Sequence, residues 1–157
     1  MFLLYSIPSW FYYNFIEYFL HKLSHNNKTY IYKIHKKHHN IHYPIKNLIQ
    51  KSPYKTDYYK YIFTDGFIAH GIPFLGVLII NIFLFNNSNQ INIWLLIYAY
   101  ISDYIHTEIH TENSWLEEYS WFLRKRDLHL LHHKNKTKNI NIMTSIYDKL
   151  FNTHIEN

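Results

Sequence analysis

The sequence predicts an all-α fold: an integral membrane helical protein with about three membrane-embedded segments and a histidine-rich helical cap on the cytoplasmic side. Three observations predict it. Apolar runs occupy about residues 1–20, 67–85 and 91–105. The sixteen Lys and Arg residues fall in two blocks, nine between Lys22 and Lys60 and seven between Arg124 and Lys149. Four histidine motifs lie in or beside those blocks. At 157 residues the chain is expected to be one domain, 1–157, with the cap formed by 21–66 and 106–157.

The first element is the run MFLLYSIPSWFYYNFIEYFL. Twenty helical residues rise about 30 Å, the thickness of a hydrocarbon core. No basic stretch or small-residue cleavage site marks it as a removable signal. Asn14 and Glu17 are costly against lipid and are expected to face inward. The second and third elements, FIAHGIPFLGVLIINIFLF (67–85) and INIWLLIYAYISDYI (91–105), are read as a helical hairpin around the uncharged turn NNSNQ. A hairpin between the two basic blocks leaves both on one side of the bilayer, as the positive-inside bias requires. It also brings every histidine motif to that side. The mean hydropathy of −0.29 fits a chain with half its length outside the apolar segments. The segment WLEEYSWFLRK (115–125) places Trp115, Leu116, Tyr119, Phe122 and Leu123 on one helical face. It is expected either to lie in the membrane interface or to pack on the protein's own core.

Composition excludes several chemistries. Without cysteine there is no disulfide, thiolate metal site or cysteine nucleophile. Three glycines cannot build a phosphate-cradling loop. The basic residues alternate in blocks with apolar segments instead of interleaving with aromatics, which argues against nucleic acid as a partner.

Thirteen histidines are present, and ten fall in four motifs: HKLSH (21–25), HKKHH (35–39), HTEIH (106–110) and HLLHH (129–133). On a helix, positions i, i+3 and i+4 are neighbours. His21 with His25, and His106 with His110, are therefore two-ligand clamps. His35, His38 and His39, and likewise His129, His132 and His133, are expected to aim three imidazoles at one small volume. Imidazole binds Zn, Cu, Fe and Ni. Ten imidazoles exceed the needs of one ion and fit two metals with about five each. Carboxylates commonly receive the other ring N–H of such ligands. The candidates here are Glu17, Asp103 and Asp148, with Glu17 and Asp103 favoured by their depth. His42, His70 and His154 are read as outside the metal set. A membrane metal-binding protein without catalytic activity is the competing reading from the residues alone.

The order of these motifs resembles the fatty acid hydroxylase/sterol desaturase superfamily of membrane-bound di-iron enzymes. FIEYFLHKLSH (15–25), YIYKIHKKHHNIHYP (30–44), SDYIHTEIHTE (102–112), and HLLHH with NINIMTSIYDKLFNT (139–153) are each similar to a family motif. The resemblance departs at Ile140 and Asn141, where Tyr-Gly is usual, at Tyr147 for Trp, and at Asn152 for Gly. Asn141 is expected to supply the left-handed conformation of the missing glycine. The resemblance implies an O2-dependent monooxygenase or desaturase of lipid biosynthesis. It would use two Fe ions held by the ten histidines, with zinc as an ion such a site accepts on purification. It also implies a fatty-acyl or sterol-like substrate drawn from the membrane, and an endoplasmic reticulum location in a eukaryotic cell. Only about twenty residues precede the first motif, so the chain reads as a near-minimal catalytic domain. A homodimer and a separate electron donor, such as a cytochrome b5-type protein, are therefore expected partners. A catalytically inactive homologue is the alternative.

Overall fold

The computed structural model describes residues 2–51, 71–86 and 88–156. Residues 52–66 of the expected cap, residues 67–70 of the expected second segment, and with them His70, lie outside the described residues. Every described element is helical. A single-turn 3-10 helix, Phe2–Tyr5, leads into α1 (Ser6–Ser24). Helix α2 (Tyr30–Lys37) continues as a π-helical turn, His38–His42. Helices α3 (Ile72–Leu84) and α4 (Ser88–Ile109) follow. A 3-10 turn, Trp115–Glu118, precedes α5 (Ser120–Lys134), and α6 (Ile146–Leu150) is short.

The expectation of membrane-crossing segments is overturned: among the described residues no helix is long and apolar enough to cross a membrane. The reasons are local. Helix α3 has thirteen residues, a rise of about 20 Å against the roughly 30 Å of a hydrocarbon core. Helix α4 reaches 22 residues, but it opens with Ser88, Asn89, Gln90 and Asn92 and closes with Ser102, Asp103 and His106. Helix α1 carries Ser6, Ser9, Asn14, Glu17 and His21 among its apolar residues. The apolar runs in the sequence were thus longer or shorter than the helices that contain them.

Helix α1 packs along α4, α3 packs beside α4, and α2 and α6 lie against α1. Tyr13, Ile16 and Leu95 form one core, flanked by Phe74, Val77 and Met143 among others. A polar chain crosses these apolar helices. The Tyr12 hydroxyl donates to Asn81 Oδ1 at 3.0 Å, Asn81 Nδ2 to Asn92 Oδ1 at 2.8 Å, and Asn92 Nδ2 to the Leu78 carbonyl at 3.0 Å. Asn81 is fully buried, so these bonds satisfy groups that would be costly unpaired. A second core joins Ile109, Leu116, Phe122 and Ile142.

The stretch 115–125 is not one helix. Ser114 caps the 3-10 turn in a capping box with Glu117, and Tyr119 is extended before α5 begins. Leu116 and Phe122 are core residues, whereas Trp115, Tyr119 and Leu123 are exposed. The left-handed position also differs from expectation. Asn139 (φ 50°) and Asn152 (φ 56°) adopt it, and Asn141 does not. Asn152 thus takes the left-handed conformation at the position where the sequence resemblance leads one to expect glycine. Asn139 holds the C-terminal segment, donating from Nδ2 to the Leu128 and Ile155 carbonyls and accepting from the Ile155 N–H.

Candidate metal centre

The fold brings all ten motif histidines together, in two groups of five. His21, His25, His35, His39 and His132 form the first; His38, His106, His110, His129 and His133 form the second. Within each group the ligand nitrogens all lie within 4.8 Å of one another.

The membership corrects the expectation that each His-x-x-His-His unit serves one volume. Each group keeps one two-histidine clamp whole and divides both triads. His35 and His39 go to the first group and His38 to the second; His129 and His133 go to the second and His132 to the first. Helical geometry explains this. One residue turns the helix by about 100°, so i+4 lies roughly 40° from i on one side and i+3 roughly 60° on the other. The first and last histidines of a unit share a direction, and the middle one points to the neighbouring site. In the first unit the π-helical turn begins at His38 and closes with the Tyr43 N–H donating to the His38 carbonyl at 2.9 Å. Such wide turns commonly occur at functional positions.

The nitrogens converge closely. In the first group His35 Nε2 lies 3.1 Å from His21 Nε2, 3.1 Å from His25 Nε2 and 3.0 Å from His39 Nε2, and His25 Nε2 lies 3.0 Å from His132 Nε2. In the second, His129 Nε2 lies 3.1 Å from His106, 3.2 Å from His110 and 3.1 Å from His133, each at Nε2. One ring nitrogen cannot satisfy three such neighbours, because a neutral imidazole nitrogen either donates once or accepts. His38 Nε2 is buried with no hydrogen-bond partner. Lone pairs gathered around a shared centre are the donor set of a metal ion. Edges near 3 Å are those of adjacent ligands about 2.1 Å from one ion.

Two backbone carbonyls fix the ring orientation. His110 Nδ1 lies 2.7 Å from the Leu48 carbonyl oxygen, and His132 Nδ1 lies 2.7 Å from that of Lys138. A carbonyl only accepts, so Nδ1 carries the proton and Nε2 presents its lone pair to the site. The Leu48 contact is held by a short pairing between loops, in which the Gln50 N–H donates to the His110 carbonyl and the Glu112 N–H to the Gln50 carbonyl, each at 2.9 Å. Tyr43 stacks on His110 with ring centroids 3.8 Å apart. Arg126 is buried and donates to the Glu108 and Thr111 carbonyls at the end of α4 and to Glu117 Oε1. Its guanidinium thus adds a second donor to the Glu108 carbonyl, which also accepts the Thr111 N–H, and satisfies the Thr111 carbonyl just beyond α4, on either side of His110.

Burial, reinforced by neighbouring imidazoles, holds the ring pKa values of His38, His110, His129 and His132 well below the usual histidine range. The same causes lower His39, and push His133 down to about 3. These rings are neutral at neutral pH, as ligation requires.

The acidic candidates have different places. Glu17 is half-buried in α1, where it accepts from the Ser102 hydroxyl, Asn141 Nδ2 and the Ile142 and Met143 N–H groups. It ties α1, one turn before His21, to α4, one turn before His106, and touches no imidazole through those bonds. Asp148 is likewise structural, accepting from the Ile140 and Asn141 N–H groups and the Thr153 hydroxyl. Asp103 is exposed. His42 lies outside both groups, and His154 pairs with Glu156 at 3.0 Å. Sequence reading missed Tyr43, Arg126 and the Leu48 and Lys138 carbonyls. Only the position of Arg126, one turn before His129, marked any of them.

The model of the fatty acid hydroxylase family matches residues 7–153. The chain belongs to the fatty acid hydroxylase family. Comparisons with curated proteins and with solved structures gave no match. Members of the family are generally lipid-modifying oxidoreductases, iron-dependent and membrane-associated. The two histidine groups fit that chemistry, since each can hold a metal ion.

Proposed function

We propose that this chain is an O2-dependent lipid hydroxylase or desaturase, with one iron held by each group of five histidines. The observation that carries the reading is the convergence of ten imidazoles into two sets of five, each with its ligand nitrogens within 4.8 Å of one another and with close nitrogen contacts of 3.0–3.2 Å. Iron bound there would supply the oxidation of an unactivated C–H bond by O2, with two electrons and two protons from outside to balance hydroxylation.

The chain's own residues orient, shield and admit. The Leu48 and Lys138 carbonyls hold Nε2 of His110 and His132 toward the site, and Tyr43 covers one face of His110. An open pocket of about 440 Å³ reaches His25 between Phe19, Leu23 and Ile140, with Lys22 and Lys136 at its edge. Its apolar wall continues the exposed face of α1 that carries Phe11, Phe15 and Phe19. A water-poor substrate enters there from a lipid surface on the cytoplasmic side, with an anionic or polar headgroup left at the lysines. Electrons come from a separate donor protein, in keeping with the family.

The test is metal content and lipid product together, on protein purified anaerobically from iron-replete cells. About two iron ions per chain and a hydroxylated or desaturated lipid are expected. Folded protein with no iron affinity and no oxidised lipid would contradict the proposal. Zinc in place of iron would not by itself decide the native metal, so iron reconstitution is included.

A further inference from the structure

A second pocket, of about 570 Å³, opens where α5 meets the segment leading into α6. It contains none of the motif histidines. Three cations line it: Arg124, Lys125 and Lys149. Ser120, Thr144 and Ser145 add hydroxyl groups, and Trp121 and Met143 give it an apolar wall.

Lys125 is the informative residue. It is half-buried, and its ammonium makes one hydrogen bond among the described residues, a long 3.4 Å contact with the Ser145 hydroxyl. An ammonium offers three donors, so two are left unmatched. The carboxylates whose fields reach it, Glu17 and Asp148, are already used. Glu17 accepts from Ser102, Asn141, Ile142 and Met143, and Asp148 from Ile140, Asn141 and Thr153. Burial accordingly pushes the Lys125 pKa down to about 8. Lys149, also lining the pocket, is exposed, with no ion pair among the described residues. Arg124 pairs with Glu156 at the rim.

We propose that this pocket binds a phosphate group carried on an apolar chain. Separate cations and hydroxyls from α5 and from the segment leading into α6 match the oxygens of a phosphate, for which lysine serves as a point charge. Trp121 and Met143 take the first part of the chain. The phosphate can belong to a lipid headgroup or be a free anion, and the two differ in their need for the apolar wall.

The experiment is calorimetric titration of the detergent-purified full chain with three probes: dihexanoyl phosphatidic acid, dihexanoyl phosphatidylcholine and inorganic phosphate. Phosphatidic acid is expected to bind saturably and more tightly than the other two. Lys125→Gln and Lys149→Gln should each weaken it about tenfold or more, the scale of a lost hydrogen bond to a charged group. Lys28→Gln, an equal change in net charge elsewhere, should leave it unchanged. Lys149 is exposed, so its variant keeps the test valid if Lys125→Gln disturbs folding. Inorganic phosphate binding as tightly as phosphatidic acid would identify a free-anion site and overturn the role of the apolar wall. Absence of saturable binding, or equal weakening by Lys28→Gln, would overturn the proposal altogether. None of these outcomes depends on the metal centre.

Discussion

The histidine end of this molecule and its apolar helical end are built in opposite senses. Around the ten imidazoles the interior is polar: seven of the motif histidines and their close neighbours Thr107, Glu108, Thr111, Ser114 and Arg126 account for much of the buried polar set, and His110, His132 and His133 are almost completely enclosed. Along α3, the outer faces of α1 and α4 and the 3-10 turn before α1, the exterior is apolar, with Leu3 and Leu4 at 75% exposure and Phe83 at 83%. Buried polar groups and contiguous exposed apolar ones are the two informative departures from ordinary burial. The contrast teaches that different forces hold the two ends. Hydrophobic packing supports the helical end through Tyr13, Ile16 and Leu95. The histidine end depends on hydrogen bonds to its rings and on what the lone pairs bind.

The largest break in that contrast is removal of a central ligand. His129 faces three other Nε2 atoms in its group, and His35 three in the other. His129→Ala or His35→Ala should reduce lipid oxidation by more than about 100-fold, beyond the usual cost of losing a supporting residue. Metal analysis should show loss of one ion, while α1, α3 and α4 keep their helical signal. Full activity in either variant would sink the ten-ligand scheme.

Acid should act next, and on the histidine end alone. The folded pKa values of six motif histidines are depressed by burial. As pH falls through the unfolded value of about 6.5, the unfolded chain takes up protons first. Their stabilising contribution is therefore complete above that pH and is lost progressively below it. Metal content and activity should fall together below about pH 6, and a titration in which activity falls with metal retained would contradict this.

A smaller effect is expected from Arg126→Ala. It leaves the Thr111 carbonyl without its side-chain donor, leaves the Glu108 carbonyl with the Thr111 N–H alone, breaks the pair with Glu117, and should cost about 2–3 kcal/mol of stability. Denaturant unfolding measures the loss, and metal titration should find the second group weakened about 10- to 100-fold with the first unchanged. The smallest effect belongs to the other end. Phe83→Ser on α3 should change stability by less than about 0.5 kcal/mol and leave metal content intact, yet reduce adsorption to phosphatidylcholine vesicles. Weaker metal binding in that variant would mean the two ends are coupled.

Much of the site could be read directly, because five-residue histidine units at helical spacing constrain where side chains point. Their division between two centres could not, since i+3 and i+4 were treated as one face and the π-helical turn at His38 leaves no mark in HKKHH. Glu17 was legible as an inward acid, but its partners Ser102, Asn141, Ile142 and Met143 come from residues 85 to 126 positions away in the chain. The helices were legible and their lengths were not: the membrane-crossing segments read from the sequence are not among the described helices. Hydropathy summed over 91–105 ignored where the polar ends of α4 fall.

The division of the triads is the central claim, and a metal titration of two double variants tests it most directly. His38 and His106 belong to one group, so His38→Ala with His106→Ala should leave about one tight ion per chain. His21 and His38 belong to different groups, so His21→Ala with His38→Ala should weaken both sites. The reverse result, both sites weakened by the first variant and one kept by the second, would mean that each His-x-x-His-His unit serves a single ion, and the arrangement described here would be wrong.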